Sequence, residues 1–402
     1  MLRNFISKLL EPRHYWRTVG FDELSELYTA QLLRSLGISL IGLFTPIYLY
    51  KIGYSLSSIA LFHVFWFLFR PIFDLLSAHI VARIGPKHTM LLSSFVHITY
   101  LGLVMTLQDL RWPLILVASL GSFAYGLHML AVAVDFSKVK HANHGGKELG
   151  YLDSMQKIGG ILGPLVGGLI ANYADPRYTV ALAMFVLLLS AIPLFLSSEA
   201  VMVKQHIVFK GLPIREHLRD YISVVPATIE NTVSLIVWPL YAAIFVLGDN
   251  TFAKLGLIAA LSTAFSLLVV RKIGGLIDKK RGRELLHVSL VLNAFIHLLR
   301  PLARSTVGVL GINMANEPVT AGYRMPYLKG IYDTADSVPG YRIAYLTSLS
   351  IVDSFARLGL WVFVFIGFYV FEAKSTLQVT FLVASLCSFG VMVERFRALD
   401  TN

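Results

Sequence analysis

The sequence predicts an all-α integral membrane protein of about twelve transmembrane helices, arranged as two six-helix bundles in a 6+6 pseudo-two-fold repeat. Three observations lead there. The 402 residues are 56% hydrophobic and only 15% charged, with mean hydropathy +0.67. No water-soluble core hides that much apolar side chain, whereas lipid takes it up helix by helix. The apolar residues also fall into runs of membrane-spanning length, and short motifs recur at an offset near half the chain.

A spanning helix needs ~20 largely apolar residues, because every backbone amide must be satisfied internally where no water is present. In chain order the runs are 27–50, 55–82, 88–107, 112–137, 148–173, 178–198, 222–247, 253–277, 284–303, 306–328, 343–371 and 375–394. They divide the chain into an amino-terminal tail, 1–21, a first bundle, 22–199, a linker, 200–221, and a second bundle with a short tail, 222–402. The amino-terminal tail is basic and aromatic. It lacks the apolar core and small-residue cleavage site of a signal peptide, so it reads as a retained cytoplasmic tail. Leu2, Phe5, Ile6, Leu9 and Leu10 give it either an amphipathic turn or two on the membrane surface or no structure at all.

Charge sets the orientation. Segments on the amino-terminal side of the predicted membrane hold 21 Lys and Arg residues, and the opposite side holds 6. An even number of spans puts both termini on one side, and the positive-inside bias makes that side cytoplasmic. The net charge of +11 is therefore topology and not a nucleic-acid surface. The single cysteine, Cys387, lies in an apolar run, which leaves no disulfide framework and no cysteine metal site. In the linker, Val203, Ile207, Phe209, Ile214 and Leu218 are spaced for a surface-lying helix, while Gly211 and Pro213 argue for a break.

The repeat is carried by three matches. Asp153-Ser-Met-Gln-Lys157-Ile-Gly159 in span five answers Asp353-Ser-Phe-Ala-Arg357-Leu-Gly359 in span eleven, 200 residues on. Pro46-Ile-Tyr48 ends span one and Pro239-Leu-Tyr241 lies in span seven, 193 residues on. Arg83-Ile-Gly85 follows span two and Lys280-Arg281-Gly282 follows span eight, 197 residues on. Six spans is an even number, so the two halves enter the membrane in the same direction and meet at a central interface.

On these residues the chain resembles the major facilitator superfamily over nearly its whole length. After span eight, Gly274-Gly-Leu-Ile-Asp278-Lys-Lys-Arg-Gly282-Arg283 is similar to the family's signature loop with one extra basic residue. In the family this loop latches helix ends when the transporter faces outward. Asp278 is suited to accept from helix-end amides or basic side chains, and the glycines permit close helix approach. The matching loop after span two keeps Arg83, Gly85 and Lys87 but has Ala82 where the family has aspartate. In span five, Gly159-x-x-x-Gly163-Pro164-x-x-Gly167-Gly168 resembles the family's antiporter motif. Plain small-residue helix packing is an equal reading of the same spacing. The arginine that many antiporters carry in span four falls on Ser122, ahead of Gly126, so the resemblance does not extend to proton coupling through that residue.

Ionisable residues inside a membrane are costly, so each is a candidate until a partner explains it. Arg70 with Asp74, Asp153 with Lys157 and Asp353 with Arg357 are i,i+4 pairs and read mainly as structural or gating charges. The resemblance implies a cavity lined by spans one, four, seven and ten and flanked by spans two, five, eight and eleven. The lining spans carry polar stripes: Tyr28, Gln31, Arg34 and Ser35; Tyr125, His128 and Asp135; Glu230, Asn231, Ser234, Trp238 and Tyr241; and Asn313, Glu317, Thr320 and Arg324. A buried carboxylate has a raised proton affinity, so Glu317, set before the hinge-forming Pro318, is the first proton-carrier candidate and Glu230 the second. A permanent ion pair with Arg324 is the alternative for Glu317, and a solvated position near the membrane surface the alternative for Glu230. His128 is as readily an interhelical hydrogen-bonding group as a proton carrier. The aromatic cluster Phe62, Phe65, Trp66, Phe67, Phe69 and Phe73 points all round its helix and reads mostly as lipid-facing or packing, whereas Tyr125, Trp238, Tyr241 and Tyr323 are suited to a cavity for amphipathic solutes.

The function these features imply is secondary active transport of a small-molecule substrate by alternating access, as proton-coupled efflux of amphipathic solutes. Nutrient uptake by symport and lipid or lysolipid flipping are alternatives on the same fold. The sequence has no His-Glu-x-x-His, no metal-spaced acidic pair, no Gly-x-Ser-x-Gly and no Walker-type phosphate loop, which argues against an intramembrane enzyme and against direct ATP drive. A sensor would need a signalling domain. No cofactor or metal is expected. The expected partners are membrane lipids, the substrate and protons, for a monomer crossing the plasma or inner membrane many times.

Overall fold

The computed structural model describes residues 21–41, 45–139, 145–174, 176–195, 207–338 and 340–399, and these are nearly all helical. The helices of the first half are α1 (Phe21–Ser39), α2 (Thr45–Lys51), α3 (Leu56–Leu68), α4 (Arg70–Ile84), α5 (Pro86–Met105), the single turn α6 (Leu107–Leu110), α7 (Leu114–Val139), α8 (Gly145–Tyr173) and α9 (Pro176–Leu189). Those of the second half are α10 (Leu218–Thr232), α11 (Trp238–Phe245), α12 (Thr251–Leu276), α13 (Gly282–Leu299), α14 (Thr306–Ser337), α15 (Arg342–Val370) and α16 (Ala373–Gly390). Among the described residues, nine continuous helical segments are long and apolar enough to cross a membrane. The longest helix outside those nine is α14, which carries Glu317, Arg324, Lys329, Asp333 and Asp336 along 32 residues.

Proline sets the interruptions. The second apolar run breaks at Phe69, and Pro71 sits in the first turn of α4, where its missing N–H costs no helical hydrogen bond. This break puts Arg70 at a helix start in the middle of a 29-residue apolar segment. The first run, predicted as one helix over 27–50, is two helices that end at Ser39 and resume at Thr45. By contrast Pro318 and Pro326 lie inside α14 without ending it. Between α10 and α11 the chain winds as a π-helix, Val233–Val237, and a second π-helix, Ile277–Arg281, joins α12 to α13. The latter spans the signature-like loop and accounts for its extra basic residue, since a π turn holds one more residue than an α turn.

The amino-terminal tail, with its amphipathic stretch at 2–10, lies outside the described residues, as does Val203. Residues 207–217 form turns and not the amphipathic helix that their apolar spacing allows. Pro213 has no N–H to donate, and Gly211 sits at φ 90°, a left-handed conformation that favours glycine.

The two halves of the chain meet chiefly along two seams, α8 against α12, and α3 and α4 against α15. Two clusters of buried apolar side chains lie at opposite ends of the helices, and each draws on both halves. One includes Ile47, Phe62, Val117, Trp238, Leu255 and Trp361; the other, at the end where the halves are joined, includes Leu27, Ala82, Phe136, Ile277, Tyr332 and Leu346.

Candidate functional site

Between these clusters lies a cavity of about 760 Å³, within the usual range for small-molecule sites, ~300–1,000 Å³. The first half contributes Ser35, Thr45, Phe62, His63, Trp66, Phe67, Arg70, His97, Tyr100 and Tyr125 to its wall. The second half contributes Thr228, Asn231, Tyr323, Arg324, Tyr327, Tyr332, Asp353 and Arg357.

Two ion pairs face the cavity from opposite halves. On α4, the Arg70 Nε donates to the Asp74 Oδ1 at 2.8 Å, and the Arg70 Nη1 donates to the Ser122 carbonyl at 3.2 Å. The Arg70 guanidinium also lies 4.9 Å over the Tyr125 ring. On α15, the Arg357 Nε and Nη2 donate to the two Asp353 oxygens at 2.9 and 3.2 Å, while Thr228 donates to Asp353 at 2.6 Å. The pairs are tied together across the halves, because the Ser354 hydroxyl donates to the Asp74 Oδ2 at 2.9 Å and Arg357 lies over the Phe67 ring. Both carboxylates and both guanidiniums are thus compensated, as charges held away from bulk water must be.

A second cross-half cluster lies beside α14. The Lys157 Nζ sits 3.2 Å from the Glu317 Oε2, 3.8 Å from the Asp153 Oδ2 and 2.9 Å from the Ser266 Oγ. Glu317 therefore pairs with Lys157 of the other half, not with Arg324 seven residues along its own helix. At the joined end of the halves, the Asp278 Oδ2 accepts from the Lys147 backbone N–H in the first turn of α8 at 3.2 Å, the helix-end acceptance expected of that residue.

The third cluster is internal to the second half. Glu230 is fully buried and accepts from Ser234 at 2.8 Å, from Tyr323 at short range, and lies 3.0 Å from the His297 Nε2. Arg300, also fully buried, bonds His297, Ser234 and Asn316, each at 2.9 Å. Glu230 is therefore not a solvated group near the membrane surface. Among its hydrogen-bond partners in the described residues, Tyr323 is the one that lines the cavity wall.

A family model described as Major Facilitator Superfamily matches residues 27–315, well over half of the sequence. The chain belongs to the major facilitator superfamily. A comparison with curated protein sequences finds no match. Among solved structures it is similar to the human organic anion transporter MFSD10, with TM-score 0.66 at 13% identity over 92% of this chain and 99% of that one. The transporter FucP in its outward conformation gives TM-score 0.66 at 12% identity over 92% and 97%. A bacterial homologue of the iron transporter ferroportin, outward-facing, gives 0.63 at 14% identity over 92% and 97%. Identities this low speak for the shared fold alone. Membership of the family, together with the nine apolar helical segments among the described residues, makes this a multi-pass membrane protein and indicates a transporter rather than an enzyme.

Within that fold the sequence-derived candidates separate. Tyr125, Asn231 and Arg324 line the cavity, together with Arg70, Asp353 and Arg357. Gln31, Arg34 and His128 do not; they form a buried polar cluster inside the first half, with the Gln31 side chain 3.2 Å from His128 and Arg34 donating to Ser94 at 3.2 Å. Asp135 is buried off the cavity. Trp238 and Tyr241 are core, stacked on one another and edge-on to Phe381, with the Trp238 indole donating to Asn313 at 2.6 Å. Of the aromatic cluster in span two, Phe62, Trp66 and Phe67 line the cavity and are not lipid-facing.

The glycines of the antiporter-like motif pack helices. A Cβ on Gly159 would meet the Leu36 N at 2.6 Å, and one on Gly167 the Leu40 carbonyl at 2.3 Å, while the Pro164 carbonyl lies 2.8 Å from where a Cβ on Gly256 would stand. Gly163 faces Ser39 of α1 and Gly168 faces Phe252 and Ala253. In the signature-like loop, Gly274 lies in α12, and Gly282 starts α13 against Leu399. The Arg283 guanidinium donates to the Glu394 carboxylate and the Phe396 carbonyl, holding the carboxy-terminal segment. At the first-half counterpart Arg83 is exposed, Gly85 sits at φ 86°, and buried Ala82 joins the apolar cluster while Lys87 pairs with Glu26 at 3.4 Å. Sequence reasoning missed His297 and Arg300, although ionisable residues inside an apolar run are the signal that made Glu230 a candidate; they lie in span nine, which is not among the expected lining spans.

Proposed function

We propose that this protein is a secondary active transporter whose two six-helix bundles, 22–199 and 222–402, rock about the central cavity to expose it to either side of the membrane in turn. In this reading twelve spans are joined by the 200–221 linker, both termini are cytoplasmic, and a monomer in the plasma or inner membrane exports amphipathic solutes in exchange for protons. The observation that carries it is the cavity itself, walled by both halves and bounded by cross-half contacts that must break and reform in a cycle. The three structural neighbours are named for an organic anion, for fucose in a related FucP structure and for iron, so the shared fold does not choose the solute.

Proton coupling is assigned to Glu317. Lys157 is shared between Glu317 of the second half and Asp153 of the first. A proton on Glu317 releases it from Lys157, which keeps Asp153 as its counter-ion, so the tie between halves loosens without stranding a charge. Glu230 is the second candidate, through Tyr323 at the cavity wall.

The test is proton flux in everted membrane vesicles containing the protein, followed with a pH-sensitive dye as aromatic, cationic and lipid-like compounds are added. Collapse of the gradient by a compound only in the presence of the protein supports proton exchange. No response to any compound contradicts it and leaves uniport or lipid flipping.

A further inference from the structure

The charges on the cavity wall do not balance. Four side chains there are charged at neutral pH, Arg70, Arg324, Arg357 and Asp353. Arg70 is compensated by Asp74, which is fully buried behind it, and Arg357 and Asp353 compensate one another. Arg324 is left over. Among the described residues it makes no ion pair and no hydrogen bond, and the carboxylate on its own helix, Glu317, is taken by Lys157. Its neighbours on the wall are Tyr323, Tyr327, Leu328, Ile331 and Tyr332.

An uncompensated guanidinium held between membrane-spanning helices is costly and persists where it has work to do. Its planar fork of donors matches an oxyanion bidentately. The wall that the first half contributes is largely aromatic and apolar, with Trp66, Phe67, Tyr100, Tyr125 and Met129. Resting on the transport reading above, we infer that the cavity takes an amphipathic organic anion whose carboxylate, sulfonate or phosphate group docks on Arg324 and whose apolar body lies against that aromatic wall. The anion supplies the contact counter-ion that Arg324 lacks on the wall, so a single ionised group fits there and a cationic head is repelled from it. Soluble aromatic acids and lipid-like alkyl anions share this chemistry.

The proposal is tested by calorimetric titration of the full chain in phosphatidylcholine nanodiscs, with no proton gradient, using 2-naphthoate, its neutral amide, 2-naphthylmethylamine and dodecyl sulfonate. The expected result is that 2-naphthoate or dodecyl sulfonate binds, and that for 2-naphthoate the amide and the amine bind at least about tenfold more weakly. Arg324→Gln is expected to abolish the preference for the anion and Arg324→Lys to retain part of it. Dependence on Arg324 for dodecyl sulfonate alone identifies a lipid-like anion, and dependence for 2-naphthoate a soluble one. Equal binding of acid and amide, preference for the amine, unchanged anion binding by a folded Arg324→Gln protein, or no binding of any probe at millimolar concentration overturns the proposal. The unmutated protein's ranking of the probes stands whether or not the variants fold. Because binding is read at equilibrium, anion binding without proton flux refutes only the exchange mechanism, and flux without anion preference refutes only the substrate class.

Discussion

Lys157 and Glu317 come from opposite halves of the chain, 160 residues apart in sequence, and their Nζ and Oε2 atoms lie 3.2 Å apart. The same ammonium lies 3.8 Å from Asp153. One base shared between two acids is an arrangement that a single proton can switch. Glu317→Gln is therefore expected to reduce substrate-driven proton flux ~tenfold or more while leaving substrate binding in place. Vesicle flux measured across a pH series checks this, and flux that keeps the pH dependence of the unmutated protein contradicts it.

Asp278 accepts the Lys147 amide across the halves. Asp278→Ala removes that bond, worth ~1–2 kcal/mol, and shifts the balance toward opening at the joined end by about five- to thirtyfold. A reporter cysteine placed at Tyr332 on the cavity wall, in a protein with Cys387 replaced, is expected to react faster with a polar maleimide added from that side. An unchanged rate means that Asp278 does not latch the halves.

The motif glycines are expected to act through packing. A Cβ on Gly163 would lie 1.9 Å from the Ser39 Oγ and 2.9 Å from the Leu40 N, whereas one on Gly160 meets nothing within 4 Å. Gly163→Ala is expected to cost ~1–3 kcal/mol, and Gly160→Ala to leave stability unchanged or raise it slightly. Thermal unfolding in detergent separates the two, and equal midpoints refute the packing role.

Glu230 and Arg300 are fully buried in one network. Glu230→Ala leaves Arg300 without its carboxylate and is expected to cost ~3–5 kcal/mol, read as a fall in unfolding temperature and in folded yield. Phe-for-Tyr replacement at Tyr323 removes one of the Glu230 bonds and is expected to cost less, ~1–3 kcal/mol. A Glu230→Ala protein as stable as the unmutated one contradicts the network.

The helices were legible because the bilayer demands them: apolar runs of fixed length leave few other structures. The within-helix pairs Arg70 with Asp74 and Asp353 with Arg357 were legible for the same kind of reason, since i,i+4 spacing fixes a shared face. Contacts between helices were not. The stripe at 313, 317, 320 and 324 is regular, yet Asn313 turns to Trp238, Glu317 to Lys157 and only Arg324 to the cavity. Spacing gives the direction in which a side chain leaves its helix and says nothing about which helix stands there. The π-helix Val233–Val237 stands directly before Trp238 and changes the register of the helix that follows, so a straight α-helical reading of that run does not place Trp238 in the core.

The most direct test of the account is the motion itself. Spin labels at Arg83 and Glu284, exposed at the joined end of the two halves, and at Tyr50 and Asp249, exposed at the opposite end, report the two gaps by pulsed electron resonance in a protein lacking Cys387. The account predicts that a bound solute or a change of pH moves the two distances in opposite senses. Distances that stay fixed, or that lengthen and shorten together, contradict alternating access.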